Sequence, residues 1–597
     1  MSSYVQQANS STDSSPSPSP PPPSPGHVGS RSDQEKVRRR RHPHASLHAC
    51  ARVVASMSCF RSSATQSDDL PGHPPPSTSM NSTKSILLKD QGTDSPHLHQ
   101  VPRKSPFGAL LSRTLPEYSG KYDVGVCDIE VPVDRQTFGN FKHKSMPDSG
   151  NAGLVMDTVL FSLFYPCEKP AKPTPSVWFP SMRQTIDGFL KMAKRTPNTL
   201  YRLMTYPVAA AAVWGTTFPA HKEAKLLIPP DASNKWPVMI FSHGAGCSRL
   251  MYSAFCGEMA SRGYVVAAIE HRDGTSPSSK ITSADGTTKV LDWLEWSDLE
   301  WPDLPADDQP KDDTRLRHEQ IKLRCAEVRE ALDILARLSK GEDVLRTSLH
   351  APDFDWKRWE YVDCEKPVMV GHSLGGSVGL AASSQGMPFR AVIVFDPATQ
   401  RLDPWRSNIP HPLLVVNSEE FAVGNEYAIF AEQIAGTAER EHDDHQQPAV
   451  FTIPGATHPS FSDVFLILPE YINKLTGLRV QASKVLELAV GATEDFLNGL
   501  TQKIIDRSVR YDGDGSHAQL KVEGRPANGN GNGNGDGDAK GKEMDKGDEV
   551  QVREGEVDAE GDGDGNGEGA EDGDNCARVP KPQRPVGEPG QLVWNPF

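Results

Sequence analysis

From about residue 105 onward, short apolar runs alternate with turn residues. They fall at 155–164, 238–241, 265–269, 368–370, 391–395, 413–416 and 449–453, and are rich in Val, Ile and Phe. The later runs are continuously apolar rather than alternating, the pattern of strands buried on both faces of a parallel sheet. Helical spacing lies between them. In 315–338, Ile321, Cys325, Val328, Leu332 and Leu335 recur with charges between them, predicting a long amphipathic helix. Segment 377–383 is mostly small residues, suited to a helix packed closely on a sheet, and 485–504 reads as a final helix. Strands and helices in alternation predict an α/β fold with a mostly parallel central sheet and helices on both faces.

The pattern fades at both ends. Residues 1–104 are rich in Ser, Pro and Arg, and 512–597 in Gly, Asn, Asp and Glu. Neither has enough apolar side chains to offset the entropy of ordering its backbone, so both are expected to be disordered, leaving 105–511 as one folded domain. The net charge of −15 owes much to the acidic tail, and no basic patch argues for nucleic acid. Nine cysteines are spread with no CxxC pair, which argues against zinc and for reduced thiols. The opening residues lack an apolar signal region, Ser2 stands where N-myristoylation needs glycine, and the longest apolar run, 207–214, is too short to span a bilayer. A cytoplasmic protein is the expectation. Asp562 to Gly567 match the first half of an EF-hand loop, but the twelfth position is Gly573 where a bidentate Glu is required, so no metal site is expected there.

One segment carries chemistry. An apolar strand runs into Gly371-His372-Ser373-Leu374-Gly375 and then into a small-residue helix. This is the strand–turn–helix context of a nucleophile elbow, where glycines make room for a sharp turn and the serine sits at a helix N-terminus. A serine hydroxyl needs a general base, usually a histidine oriented by a carboxylate, following in the order Ser, acid, His. Asp396 ends the run 391–395, and Glu419 and Glu420 follow the run 413–416. His458 lies in the loop after 449–453, with His411, His442 and His445 as other histidines. The oxyanion donors would be the backbone N–H groups of Leu374 and of Ala245, in the loop after strand 238–241. In that loop His243 is expected to shape the backbone rather than act as a base.

Several ordered segments resemble a known family. They are Phe241-Ser-His-Gly-Ala-Gly246, Gly263-Tyr-Val-Val-Ala-Ala-Ile-Glu-His-Arg-Asp273, Arg317-His-Glu-Gln-Ile321, Gly371 to Gly376, Phe395-Asp396, Val416-Asn-Ser-Glu419 and Thr457-His458-Pro-Ser-Phe-Ser-Asp463. Together they resemble the platelet-activating-factor acetylhydrolases of the plasma and intracellular type II group, also called group VII phospholipase A2. The resemblance implies an α/β-hydrolase fold and a calcium-independent serine esterase without cofactor. Its substrate would be a phospholipid carrying a short or oxidised acyl chain at sn-2. It maps the triad to Ser373, Asp396 and His458, favouring Asp396 over Glu419 because the family's acid follows the strand after the nucleophile's. Segment 178–219, with Phe189, Leu190, Met192, Leu203 and Met204, resembles the region where the family touches lipid, implying transient membrane-surface contact. A helical insertion packed on the core is the other reading of that segment. Pro397-Ala398-Thr399 departs from the bulky aromatic residues of the animal enzymes, which leaves room for a general short-chain carboxylesterase or polyester-type hydrolase. A non-catalytic scaffold on the same fold is the remaining reading.

Overall fold

Alternate side chains of the central strands enter two different apolar cores, which is why those runs carry almost no polar positions. The computed structural model describes residues 106–145, 153–172, 174–283, 285–342, 354, 356–402, 409–438, 448–510 and 587–595. Residues 1–104, His442, His445 and the EF-hand-like segment lie outside the described residues.

In chain order the main elements begin with β1 (Val124–Phe138), β2 (Leu154–Pro166), β3 (Pro175–Val177), α1 (Met182–Met192), α2 (Thr199–Val213), β4 (Thr217–Lys222) and β5 (Trp236–Ser242). Then come α3 (Ser253–Ser261), β6 (Val265–Glu270), α4 (Thr314–Ser339), β7 (Val362–His372), α5 (Leu374–Ser384) and β8 (Ala391–Phe395). The chain continues through β9 (Leu413–Ser418), α6 (Asn425–Ala438), β10 (Ala449–Ile453), α7 (Ala482–Leu497), β11 (Val509–Arg510) and β12 (Val593–Trp594). Twelve strands form one sheet in the order β11-β12-β10-β9-β8-β7-β5-β6-β2-β1-β4-β3. The run from β6 to β10 is parallel throughout. At its side β2 joins β6 antiparallel and β1 joins β2 antiparallel.

On β8, Val392 and Val394 enter the core shared with α4 (Val328, Ala331, Leu335) and α6 (Tyr427, Phe430). Ala391, Ile393 and Phe395 enter the other core, with α3 (Ala254, Phe255, Met259) and α7 (Val485, Ala489). Burying one Val or Ile side chain contributes roughly 1.5–3 kcal/mol, so a two-sided strand gains it at nearly every residue. This is an α/β-hydrolase fold, with helices on both faces as the alternation predicts.

Two readings need correction. The final helix expected over 485–504 is two: α7 ends at Leu497, Gly499 turns with φ 71°, and a second helix spans Thr501–Asp506. The acidic tail was expected to be disordered to residue 597, yet 587–595 return to the sheet as β12. Enough apolar surface remains there for burial: Leu592 and Val593 are both buried.

Candidate active site

The parallel strands deliver their C-terminal ends to one rim, and the chemistry collects there. β7 ends at His372 and α5 begins at Leu374, so Ser373 alone makes the turn, with φ 55° and ψ −123°. Such a backbone is strained for a residue with a side chain and persists where its surroundings fix it. Here the Ser373 N–H donates to the Phe395 carbonyl at 2.9 Å, and glycines on either side let the backbone pass close by. A Cβ on Gly371 would overlap the Gly375 carbonyl, and one on Gly375 would overlap the Ser242 carbonyl.

His458 follows β10 and Asp396 follows β8. Ser373 Oγ lies 3.0 Å from His458 Nε2, and His458 Nδ1 lies 3.0 Å from Asp396 Oδ2. Asp396 is fully buried and accepts two further bonds from Ser418, from its N–H and its hydroxyl, each at 2.6 Å. Burial works against a charged His458. The hydrogen bond and charge of Asp396, with Glu426 and Glu420 adding to it, outweigh burial and raise its pKa above the ordinary 6.5. The other carboxylates are engaged elsewhere. Glu419 pairs with Arg479 and accepts from the Gly455 N–H at 2.5 Å. Glu420 accepts from the backbone N–H of His458, not its ring, at 2.8 Å. His411 bonds Ser383 at 2.7 Å, away from this cluster.

His372, Asp396 and His458 together place three potential metal-ligand atoms within 4.8 Å of one another. The donor set does not fit an ion, because every ring nitrogen is committed. His372 Nε2 donates to the His458 carbonyl at 3.0 Å, and its Nδ1 accepts from the Tyr252 hydroxyl at 2.7 Å. Burial and the adjacent His458 keep His372 neutral, with its pKa well below 6.5. His372 thus links the elbow to the turn carrying His458, a role with no local signal in the sequence.

The loop after β5 runs against the nucleophile: a Cβ on Gly244 would stand 3.1 Å from Ser373 Cβ. Its shape is fixed from beneath. His243 Nδ1 donates to the Gly244 carbonyl at 2.8 Å, and Nε2 accepts from the His271 N–H at 3.2 Å. Burial, reinforced by the Arg324 charge, pushes the His243 pKa down to about 4, so it stays neutral and serves the loop. Arg324, wholly buried, pairs with Asp273 at 2.6 Å and donates to the His243 carbonyl at 2.6 Å. Ala245 is the next residue of this loop after Gly244, and Leu374 opens α5 directly after Ser373. Asp463 ties the neighbourhood together. It accepts from Trp178 Nε1 at 3.1 Å, the Ser253 hydroxyl at 2.7 Å and the Ala254 N–H at 3.2 Å, and burial raises its pKa to about 6.

The sequence model of the platelet-activating factor acetylhydrolase, isoform II, family matches residues 108–517. The chain belongs to that family. The platelet-activating factor acetylhydrolase of Gallus gallus is 30% identical over 336 residues, 54% of this chain and 72% of the relative. That of Canis lupus familiaris is 27% identical over 396 residues, 65% and 78% of the two chains. A putative phospholipase A2 of Schizosaccharomyces pombe is 24% identical over 464 residues, 70% of this chain and 98% of the relative. As a member of the isoform II family, the chain is a carboxylic ester hydrolase. Among the described residues no helix is long and apolar enough to cross a membrane.

Proposed function

We propose that the chain removes the sn-2 acetyl, or a short or oxidised acyl group, from phospholipids, with Ser373 as nucleophile, His458 as base and Asp396 as acid. The observation that carries this is the relay Ser373–His458–Asp396 at 3.0 Å per step, in a chain of this family. His458 accepts the Ser373 proton as Ser373 Oγ attacks the ester carbonyl. The N–H groups of Ala245 and Leu374 hold the developing oxyanion, helped by the N-terminus of α5. His458 then protonates the leaving lyso-phospholipid oxygen. Water, deprotonated by the same histidine, releases the acyl group as the acid. Asp396 holds the Nδ1–H tautomer and stabilises the imidazolium.

No step calls on a metal, so calcium independence is part of the proposal. The test is acetate release from a 2-acetyl phosphocholine lipid in excess chelator, with wild type beside Ser373→Ala. Turnover that persists in chelator and vanishes in the variant supports it. Loss of turnover on the lipid alone, with simple soluble esters still cleaved, moves the substrate to the carboxylesterase reading. That alternative draws on the departure from the resemblance: Pro397-Ala398-Thr399, with Pro397 close-packed against Gly376, stand where the resemblance implies bulky aromatic residues.

Membrane-surface contact belongs to the same proposal. The two readings of 178–219 divide between its helices: Leu190 of α1 is buried, whereas α2 buries none of its residues. Leu200, Leu203, Met204 and Val208 of α2 are exposed and fall on one face by their three- and four-residue spacing. Replacing Leu203 and Met204 by Glu should weaken binding to phosphatidylcholine vesicles and leave soluble-ester turnover intact; unchanged vesicle binding would remove α2 from the picture. Residence in the cytoplasm is proposed as well, supported by the six described cysteines all being free thiols. A fractionation that finds the chain only in secreted material would reject it.

A further inference from the structure

The C-terminal segment 587–595 is separated from β11 by a long Gly-, Asn-, Asp- and Glu-rich stretch, yet it docks beside the active site. Val593 and Trp594 pair antiparallel with Thr452 and Phe451 of β10. Asn595 donates from its N–H to the Val450 carbonyl at 2.9 Å and from Nδ2 to the Thr452 hydroxyl at 2.8 Å. On the other side the Val509 N–H donates to the Leu592 carbonyl at 2.9 Å, so β11 reaches the sheet only through β12. Without β12, then, β10 would be the open edge of the sheet.

The contacts continue past β10 into the turn that leads to His458. The Gly590 N–H donates to the Pro454 carbonyl at 3.2 Å, and a Cβ on Gly455 would stand 3.0 Å from Pro589 Cβ. Gly455 has φ 79°, its N–H is taken by Glu419, and its carbonyl accepts from the Arg479 N–H at 2.8 Å. His458 lies three residues further on. We propose that residues 587–595 are a positioning segment for catalysis: by completing the sheet beside β10 and clamping Pro454 and Gly455, they hold His458 in line with Ser373 and Asp396. The proposal rests on the triad reading, which Ser373→Ala tests separately in the same assay. Its expected size follows from the steep cost of misplacing a catalytic group by about 1 Å, on the order of 10²-fold.

The test uses the full chain with Val593→Asp, which puts a carboxylate at a fully buried position. The expected result on a soluble ester is a kcat lower by ~10–100-fold at unchanged KM, with slowed fluorophosphonate labelling of Ser373. A synthetic peptide of residues 587–595, added in trans, should restore both. Wild-type kcat in V593D, with the Thr452 amide exchanging fast enough to show the segment undocked, overturns the proposal. So does a loss that the peptide does not reverse in folded protein. Should V593D fail to fold, a full chain with a protease site inserted within 530–535 is cut after folding and freed of its tail. A kcat that drops and returns with peptide supports the proposal; an undiminished kcat overturns it.

Discussion

Replacing Asp396 by Asn should cost more than the loss of one charge, because its surroundings dictate which way the amide faces. Oδ1 accepts from the Ser418 backbone N–H at 2.6 Å, and a backbone donor cannot turn round. The Asn amide group must therefore point its oxygen there and its NH₂ toward His458 and the Ser418 hydroxyl. The hydroxyl can rotate to accept. His458 Nδ1, at 3.0 Å, can avoid a donor–donor clash only by losing its hydrogen. The imidazole then carries its proton on Nε2, facing Ser373 Oγ, and has no lone pair for the Ser373 proton. The same substitution in a serine protease triad lowers kcat by about 10⁴-fold, equivalent to ~5 kcal/mol on the barrier, and a similar loss is expected here. The assay is steady-state turnover of a soluble ester, with thermal melting to confirm that the isosteric variant folds. Glu419→Gln is the control and should change kcat by less than about threefold, since the Gln oxygen can still accept from the Gly455 N–H and only the partly exposed pairing with Arg479 is weakened. A D396N enzyme within tenfold of wild type, or a comparable loss in E419Q, would refute the tautomer argument.

Because His458 must be neutral to act as base and its pKa is held above 6.5, kcat/KM should fall as pH drops through a value above 6.5. A limb centred below 6 in a pH–rate profile would contradict it. The same raised pKa means the folded chain holds this proton more tightly than the unfolded one. That share of stability is present below the unfolded value and is lost as pH rises through the folded one, which denaturant midpoints across pH 5–8 would register. Gly371→Ala should abolish activity and lower the melting temperature, because its methyl group meets the Gly375 backbone rather than a side chain that can swing away. A folded, active G371A would mean the elbow relaxes more readily than its geometry implies.

The parts of the fold legible in the sequence are those whose physics is local. The runs at 391–395 and 449–453 match β8 and β10 residue for residue, because strands buried on both sides admit only apolar side chains. β1 went unseen. It carries Asp128, Glu130, Asp134 and Arg135, and Pro132 sits at a break in its register. Its acidic positions are tolerated because Glu130 pairs with Arg272 and Asp128 with Arg249, partners more than a hundred residues away. The same division holds at the site. Ser373 announces itself through the glycines its turn requires, and Asp396 and His458 through their places after strands. Ser418 as the second partner of Asp396, and the Tyr252–His372 link, depend on tertiary proximity alone and left no mark in the spacing. The β12 return is not legible in the sequence because a two-residue strand after a long polar stretch offers too short a pattern to register.

A sheet twelve strands wide would ordinarily present two long ladders of free backbone groups to any neighbouring molecule. Among the described residues both outer strands are stubs: β3 has three residues and begins with Pro175, which has no N–H to offer, and β11 has two. The outer stub carries Arg510, whose guanidinium lies over the Trp594 ring at 5.4 Å. With so few free groups among the described residues, and a charge beside one set of them, these two edges offer a second copy little length for pairing. The width of the described sheet therefore adds little of the pairing hazard that open edges bring.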